Sequence, residues 1–464
     1  MSKNLSLEER LEAALNRIVE LEAIIAQLIQ RNAELERQLG LNSKNSSKPP
    51  SSDGFQKAAI NRTQSLREKT DRKVGGQQGH KGSTLMQIKN PDEIKQYKTV
   101  CCPDCKIDLT DAPVVKVIKR QVFDLPEIKP VVTEHQFDFK TCPSCKKKVE
   151  AQSDNTIKAP VQYGNAAKAF VSYMGVEQLI PQERITSILK IVGLPMSTAT
   201  INHILQTGAT LVKPSVKNIE TDLKIVAYTK NLDETMLNVE GEGYWVHVIS
   251  NGNATYYHIS KKRGDVPKDL KGVIVHDHFI SYFSQISNVL HALCNSHHLR
   301  QLIAVKELDK ESWAELMVQL LLLCNDYKKK LHIVPLEIIQ TLREVYFDII
   351  DVGLKYHENL GPLKKPPRGK IKRRPGHNLL LRLKDFASDV LRFLSDPCVP
   401  FTNNQAEQDI RMIKVKQKIS GGFRTFSGAQ SFLTLKSYTE TAKKNNVNIL
   451  HALFAAFQKK PIIF

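Results

Sequence analysis

Asn231-Leu232-Asp233-Glu234-Thr235 follows an apolar run, Leu223–Leu232, and how that run is read decides the fold. A short apolar run bounded by polar residues suits a buried strand, which leaves Asp233 at the strand's end. Downstream, Tyr244–Ser250 and Ala254–Ser260 flank Asn251-Gly252, a hairpin signal because both turn positions accept positive φ. Val273–His276 is another short strand, running into Asp277. Residues 222–278 are therefore expected to be β-rich. From about 283 to 360 the period is helical, with a long apolar stretch at Trp313–Cys324, and residues 404–416 and 428–443 look helical again. Strands and helices intermixed in this way make an α/β fold class.

Three carboxylates stand at element boundaries in this scheme: Asp233, Asp277, and Glu407 at the start of a helix in Asn403-Asn404-Gln405-Ala406-Glu407. Hard oxygen ligands of this kind suit Mg²⁺, which keeps open positions for phosphate and water. A pair of such ions can activate an attacking oxygen and stabilise a leaving one. Acids so far apart in sequence are otherwise ordinary surface groups, so the flanks matter. Arg411 and Lys414 follow Glu407 by four and seven residues, near the same helix face. Lys416, Lys418 and Arg424 extend the basic track through Gly421-Gly422, as neutralising a phosphate backbone requires. His276, His278, His291, Cys294, His297 and His298 cluster after Asp277. Cys294 and His297 have metal-ligand spacing, while structural packing on the helix after Asp277 is the simpler reading.

Toward the N-terminus, residues 5–40 read as one helix with heptad positions a at 11, 18, 25, 32 and 39 and d at 14, 21, 28 and 35. Asn32 alone breaks the seam, and a single buried Asn at a selects a dimeric register. Residues 42–53 are polar and Pro/Ser-rich, and Arg72–Gly82 is basic and Gly-rich, including Lys73 and Lys81. This composition builds no core and reads as a flexible basic linker, either a solvated tether or a segment that orders on phosphate. Cys102-Pro103-Asp104-Cys105 and Cys142-Pro143-Ser144-Cys145 are two knuckles whose four thiolates suit tetrahedral Zn²⁺. Between them, Val114–Phe123 and Val131–Phe139 are strand-like. Cys294, Cys324 and Cys398 read as buried hydrophobes. Ile180–Val192 and Ser197–Gln206 around Gly193-Leu194-Pro195 have the form of a helix-turn-helix or of an ordinary helical pair. Residues 361–376 form a basic loop with Lys364, Lys365, Arg368, Lys370, Lys372, Arg373 and Arg374.

The formal net charge is +19, which favours a polyanionic partner, nucleic acid first. No secretory h-region opens the chain, and no apolar run reaches the roughly 18–20 residues that span a bilayer. A cytoplasmic location, nucleoid-associated in a bacterial cell and with no membrane partner, is expected. Reduced thiols there favour metal binding over disulfides.

These motifs, in this order, resemble the insertion-sequence 66 family of bacterial transposases, the TnpC type. The segments that carry the likeness are Asn42–Asp53, Gly75–Gly82, the two knuckles, Asp233-Glu234-Thr235 with Trp245, the strand into Asp277, Cys294-Asn295-Ser296-His297, and Asn403–Glu407 through Gly421-Gly422-Phe423-Arg424. The resemblance implies a ribonuclease-H-like catalytic core whose DDE triad falls on Asp233, Asp277 and Glu407, with two catalytic Mg²⁺ or Mn²⁺ ions. It also implies a helical insertion, about 283–395, between the last strand and the Glu407 helix.

The expected organisation is a coiled coil over 1–41, a linker over 42–95, a zinc module over 96–150 and a helical DNA-binding region over 151–221. The catalytic domain would follow over 222–440, with a short tail over 441–464. Expected partners are double-stranded DNA (terminal inverted repeats and target), a second copy through the coiled coil, and small accessory proteins of the same element. Arg411, Lys414, Lys418, Arg424, Lys73 and Lys81 would contact DNA. Gln408 departs from the family's usual Arg, removing one backbone contact, and the chain closes at Phe464 where many relatives run on. A non-catalytic DNA-binding regulator, or a nuclease without strand transfer, would share much of this sequence.

Overall fold

A computed structural model describes residues 16, 22, 24, 25, 28, 29, 31–42, 45, 46, 85–151, 157, 159–363 and 372–464. Lys73, Lys81, Lys364, Lys365, Arg368 and Lys370 lie outside these, as does most of the expected coiled coil; its continuous described part, 31–40, is helical. The chain divides into two compact units: residues 59–135 with 192–194, and the remainder.

The larger unit carries β1 (Phe139–Thr141), β2 (Lys148–Glu150), α1 (Asn165–Val176), α2 (Gln182–Ile191), α3 (Thr198–Ile225), β3 (Lys230–Val239), β4 (Glu242–Ser250), β5 (Thr255–Ser260) and β6 (Val273–His276). There follow α4 (Ile280–Gln285), β7 (Leu290–Leu293), α5 (Asn295–Ala304), α6 (Ser312–Leu331), α7 (Leu336–Asn359), α8 (Pro375–Asp385), α9 (Ala387–Ser395), α10 (Asn404–Ser420), α11 (Phe426–Lys444) and α12 (Ile449–Phe457). The fold class is α/β, as expected. Its main sheet has the order β5-β4-β3-β6-β7, with β3, β4 and β5 antiparallel and β6 and β7 parallel to β3. Among the described residues no helix is long and apolar enough to cross a membrane.

Alternation along the strands sends side chains to two cores. Leu232, Ile249 and Ile274 pack with Ile219 and Leu223 of α3 and Tyr282 of α4. Val273, Val275, Ala292 and Leu293 pack instead with the helical layer of α5–α9, around Trp313, Met317, Tyr346 and Phe393. Edge strand β5 is covered by α11: the Thr255 and Tyr257 N–H groups donate to the Thr441 and Ser437 hydroxyls at 3.1 Å each. This satisfies donors that would otherwise invite another chain.

Several expectations need correction. The run Leu223–Leu232 is not one strand, because α3 continues to Ile225 and β3 begins at Lys230, so Asp233 lies within a strand rather than at its end. Val212, Val216, Ile219 and Leu223 form a buried helical stripe, and a ten-residue window that catches only its last turn mimics a strand. The second helix of the expected pair is therefore 28 residues long, spans Pro214, and crosses the boundary drawn at 221/222. Strand β7 lay inside the stretch read as helical, being only four residues long. Val114–Phe123 and 131–138 form no ladder among the described residues: Val115 and Val131 are more than nine-tenths exposed. Pro113, Pro126 and Pro130 punctuate those runs and supply no backbone donor. The expected tail, 441–464, ends α11 and contains α12, whose Ala452, Leu453 and Ala456 are buried. Cys398 is exposed, unlike Cys294 and Cys324.

Candidate active site

The register of β3 and β6 pairs Lys230 with Ile274 and Asn231 with Val275. Carried two residues further, it sets Asp277 beside Asp233, on strands whose neighbours lie about 4.8 Å apart. Past Val275 the ladder stops, and the Leu232 carbonyl receives the Asn403 Nδ2 at 2.7 Å instead. Asn403 Oδ1 accepts from Asn231 Nδ2 at 2.9 Å, and its N–H donates to Cys294 Sγ at 3.1 Å. This buried asparagine precedes α10 and fixes that helix's start to β3, so Glu407, in the first turn, comes near enough for its charge to act on both aspartates. The far end of α10 is fixed too. Phe423 donates to Asn238 O and accepts from Glu240 N–H, both at 2.9 Å, and Gly422 (φ 143°) passes so close that an added Cβ would lie 2.5 Å from Asn238 O.

Both aspartates are raised. Burial raises Asp233 well above the usual carboxylate range; Glu234, Asp277 and Glu407 push the same way, against one hydrogen bond from the Glu234 N–H. Burial also raises Asp277, opposed by the Phe279 N–H and the Arg263 charge and reinforced by Glu407. Among the described residues neither aspartate has a Lys or Arg within salt-bridge distance. Arg263 is committed to Glu234, Nη2 to Oε1 at 2.7 Å, and stacks over Phe279 at 4.2 Å. Tyr282 donates to the other Glu234 oxygen at 2.5 Å. Desolvated carboxylates that repel one another without a fixed cation make a donor set suited to divalent metal. A cavity of about 170 Å³ beside them is lined by Arg263, Asp277, His278, His297, Gln301 and Arg382 among others.

The remaining expected contacts sort differently. Arg411 and Lys418 are exposed on α10. Lys414 is turned onto β3, donating to Met236 O at 2.7 Å, and Lys416 is buried with its Nζ 3.4 Å from Leu179 O. Arg424 is 94% exposed, 3.5 Å from Glu183. His276 is buried against His291, Nε2 to Nδ1 at 3.0 Å, and burial holds it down near about 3. The two cysteine knuckles lie in different units, Cys102 and Cys105 in one and Cys142 and Cys145 in the other. They share a backbone turn: Lys106 N–H returns to Cys102 O and Lys146 N–H to Cys142 O, with both lysines at positive φ. Backbone donors at Cys105 and Asp104 lower the Cys102 thiol, and Cys145 and Ser144 do the same for Cys142. Asn403, Glu234 and Arg263 were given no role from the sequence. Asn403 was at least visible within the motif ending at Glu407, whereas Arg263 follows β5 with no local signal.

Compared with known protein families, residues 160–431, more than half of the chain, match the family described as Transposase IS66 family. Residues 2–86 match a Family of unknown function (DUF6444). No curated protein matches the chain.

Proposed function

The chain belongs to the IS66 family of transposases, and from that premise we propose that Asp233, Asp277 and Glu407 are its DDE triad, cutting DNA at the ends of a mobile element and joining them to target DNA. The observation that supports the reading is electrostatic: the charges of Asp277 and Glu407 both raise Asp233, and that of Glu407 raises Asp277. Asp233 lies on β3, Asp277 directly follows the neighbouring β6, and Glu407 stands on a helix fastened to both ends of β3. The sheet order, with an antiparallel three-strand meander followed by two parallel strands, supports a ribonuclease-H-like core. The helices α5–α9 answer to the insertion, beginning after β7 rather than near 283.

Mg²⁺ or Mn²⁺ held by the three carboxylates would supply Lewis acidity to the attacking and leaving oxygens. Within the chain, β3 and β6 hold Asp233 and Asp277 side by side, and Asn403 sets Glu407 opposite them. Arg263 restrains the neighbouring Glu234, keeping a fourth carboxylate out of the set. Arg411, Lys418 and Arg424, exposed along and beyond α10, are offered to the DNA backbone; Lys414 would first have to leave Met236 O. Lys73 and Lys81 would add contacts from the basic linker, and α2 with the start of α3 is a candidate DNA reader. Zn²⁺ on Cys102, Cys105, Cys142 and Cys145 belongs to the same proposal, supported by the turn that each knuckle closes by itself. Self-association through the N-terminal helix is supported by Ile25, Leu28, Leu35 and Leu39, all exposed in the single chain. Accessory proteins of the element and nucleoid association belong to the same proposal.

The test is strand transfer with Mg²⁺ or Mn²⁺ on end-repeat DNA. Asp233→Asn, Asp277→Asn and Glu407→Gln are each expected to abolish cleavage and joining while DNA binding persists. Normal cleavage by the three variants would refute the triad. Cutting without joining by the natural chain would reassign it as a nuclease, and binding without cutting as a regulator.

A further inference from the structure

Glu407 faces a second, chemically different group of donors. Cys294 directly precedes α5 and His297 lies in its first turn, where the His297 N–H closes back on Cys294 O at 3.2 Å. That turn aims both side chains at α10. Cys294 Sγ lies 3.9 Å from Glu407 Oε1, and His297 Nδ1 lies 4.0 Å from the same oxygen. The three ligand atoms all fall within 4.8 Å of one another. Neither contact to Glu407 is a good hydrogen bond at these lengths. His297 Nδ1 is buried and has no hydrogen-bond partner among the described residues, a costly state for a ring nitrogen.

We propose that Cys294, His297 and Glu407 form a binding site for a borderline-soft divalent cation, zinc foremost. Tetrahedral zinc with sulfur at about 2.3 Å and nitrogen and oxygen at about 2.0 Å would set the S···O and N···O edges near about 3.5 and 3.3 Å. The observed separations exceed these by well under an ångström, within the reach of a side-chain rotation. Thiolate and imidazole together select zinc over magnesium, which wants oxygen ligands only. The Asn403 N–H at 3.1 Å from Cys294 Sγ is the outer hydrogen bond that orients a ligating sulfur. His297 also lines the cavity shared by Asp277 and Arg382, from which water or a phosphate oxygen would complete the coordination. This site goes beyond the magnesium reading and shares only Glu407 with it. The binding itself does not depend on whether the carboxylates cut DNA.

The experiment loads the metal-free full chain with Co²⁺ and reads bound equivalents by elemental analysis together with the absorption spectrum. His297→Ala removes a largely buried side chain that makes no hydrogen bond among the described residues, so a circular-dichroism spectrum like that of the natural chain is the control for folding. The variant is expected to bind one equivalent fewer. Cys294→Ser should lose the same equivalent and one thiolate's share of the sulfur-to-cobalt charge-transfer band, over an unchanged background from the knuckle cysteines. Asp233→Asn should keep the full sulfur-to-cobalt band even if it abolishes DNA cleavage and loses a carboxylate-bound ion. Equal stoichiometry and spectra in the natural chain and His297→Ala would overturn the proposal. So would a charge-transfer band in Cys294→Ser as strong as that of the natural chain.

Discussion

Asn403→Ala should uncouple the Glu407 helix from the strand that bears Asp233. The side chain donates to Leu232 O at 2.7 Å and accepts from Asn231 Nδ2 at 2.9 Å, in surroundings where Asn403 is 1% exposed. Truncation leaves a strand carbonyl and a side-chain amide without partners. Each orphaned group costs about 1–3 kcal/mol, and water entering the vacated space recovers part of that, so roughly 2–4 kcal/mol is expected. Asn403→Asp sharpens the test. It keeps an acceptor for Asn231 but cannot donate to Leu232, and it adds a buried negative charge to an acidic neighbourhood. The assay is urea unfolding followed by near-ultraviolet circular dichroism, compared with Glu407→Gln as a variant that loses the acid but keeps the tether. Asp should be at least as damaging as Ala, and both variants should lose DNA cleavage with the three acids intact. If Asn403→Ala unfolded within about 0.5 kcal/mol of the natural chain, the typical range for inconsequential surface changes, the tether argument would be wrong.

Gly422→Ala should destabilise the far end of the same helix, because the new Cβ meets Asn238 O at 2.5 Å from a φ of 143°; a melting temperature equal to the natural one would contradict this. His247 is held down to about 4 by burial first and then by neighbouring His258. The unfolded ring titrates near about 6.5, so the folded state resists protonation. Stability is full above that pH and falls as pH drops toward about 4, by up to about 3 kcal/mol. His247→Leu should flatten this acid slope in thermal melts at a series of pH values; an unchanged slope would place the acid sensitivity elsewhere. Chelation of a zinc-loaded chain should expose residues 100–150 to hydrogen exchange, and protection indifferent to chelator would count against a four-cysteine site.

The hairpin expected at Asn251-Gly252 is present, with β4 and β5 almost to the residue, but neither position takes positive φ; the Asn251 side chain closes the loop instead, accepting from the Asn253 and Ala254 N–H groups. The start of β3 was misread because its signal is not local. Leu223 serves a helix whose register was set by residues further back, and only packing on the sheet reveals it. β7 is only four residues long, with Leu290 exposed, His291 half-buried and Ala292 and Leu293 buried, so it carries no alternation to read. At the site, the three acids could be chosen because they sit in recognisable company, but the partners that hold them come from elsewhere. Asn403 reaches Leu232 and Asn231 across more than 170 positions, and Arg263 reaches Glu234 across 29. Long-range contacts of this kind leave no periodic trace. Lys414 shows the converse: a lysine at helical spacing from Glu407 looked free for phosphate, yet its ammonium is occupied by a strand carbonyl.

Cys294 and Asn403 touch, N–H to sulfur, across the whole of the intervening helical layer. A segment whose two ends meet in this way behaves as a detachable cassette: it can grow, shrink or be exchanged without altering the spacing of its anchor points. Chains could therefore lengthen or exchange the outer helices of this segment, altering what docks around the cleft, while His297 and the core face against β6 and β7 stay fixed and the carboxylates on the sheet side of the junction keep their separation.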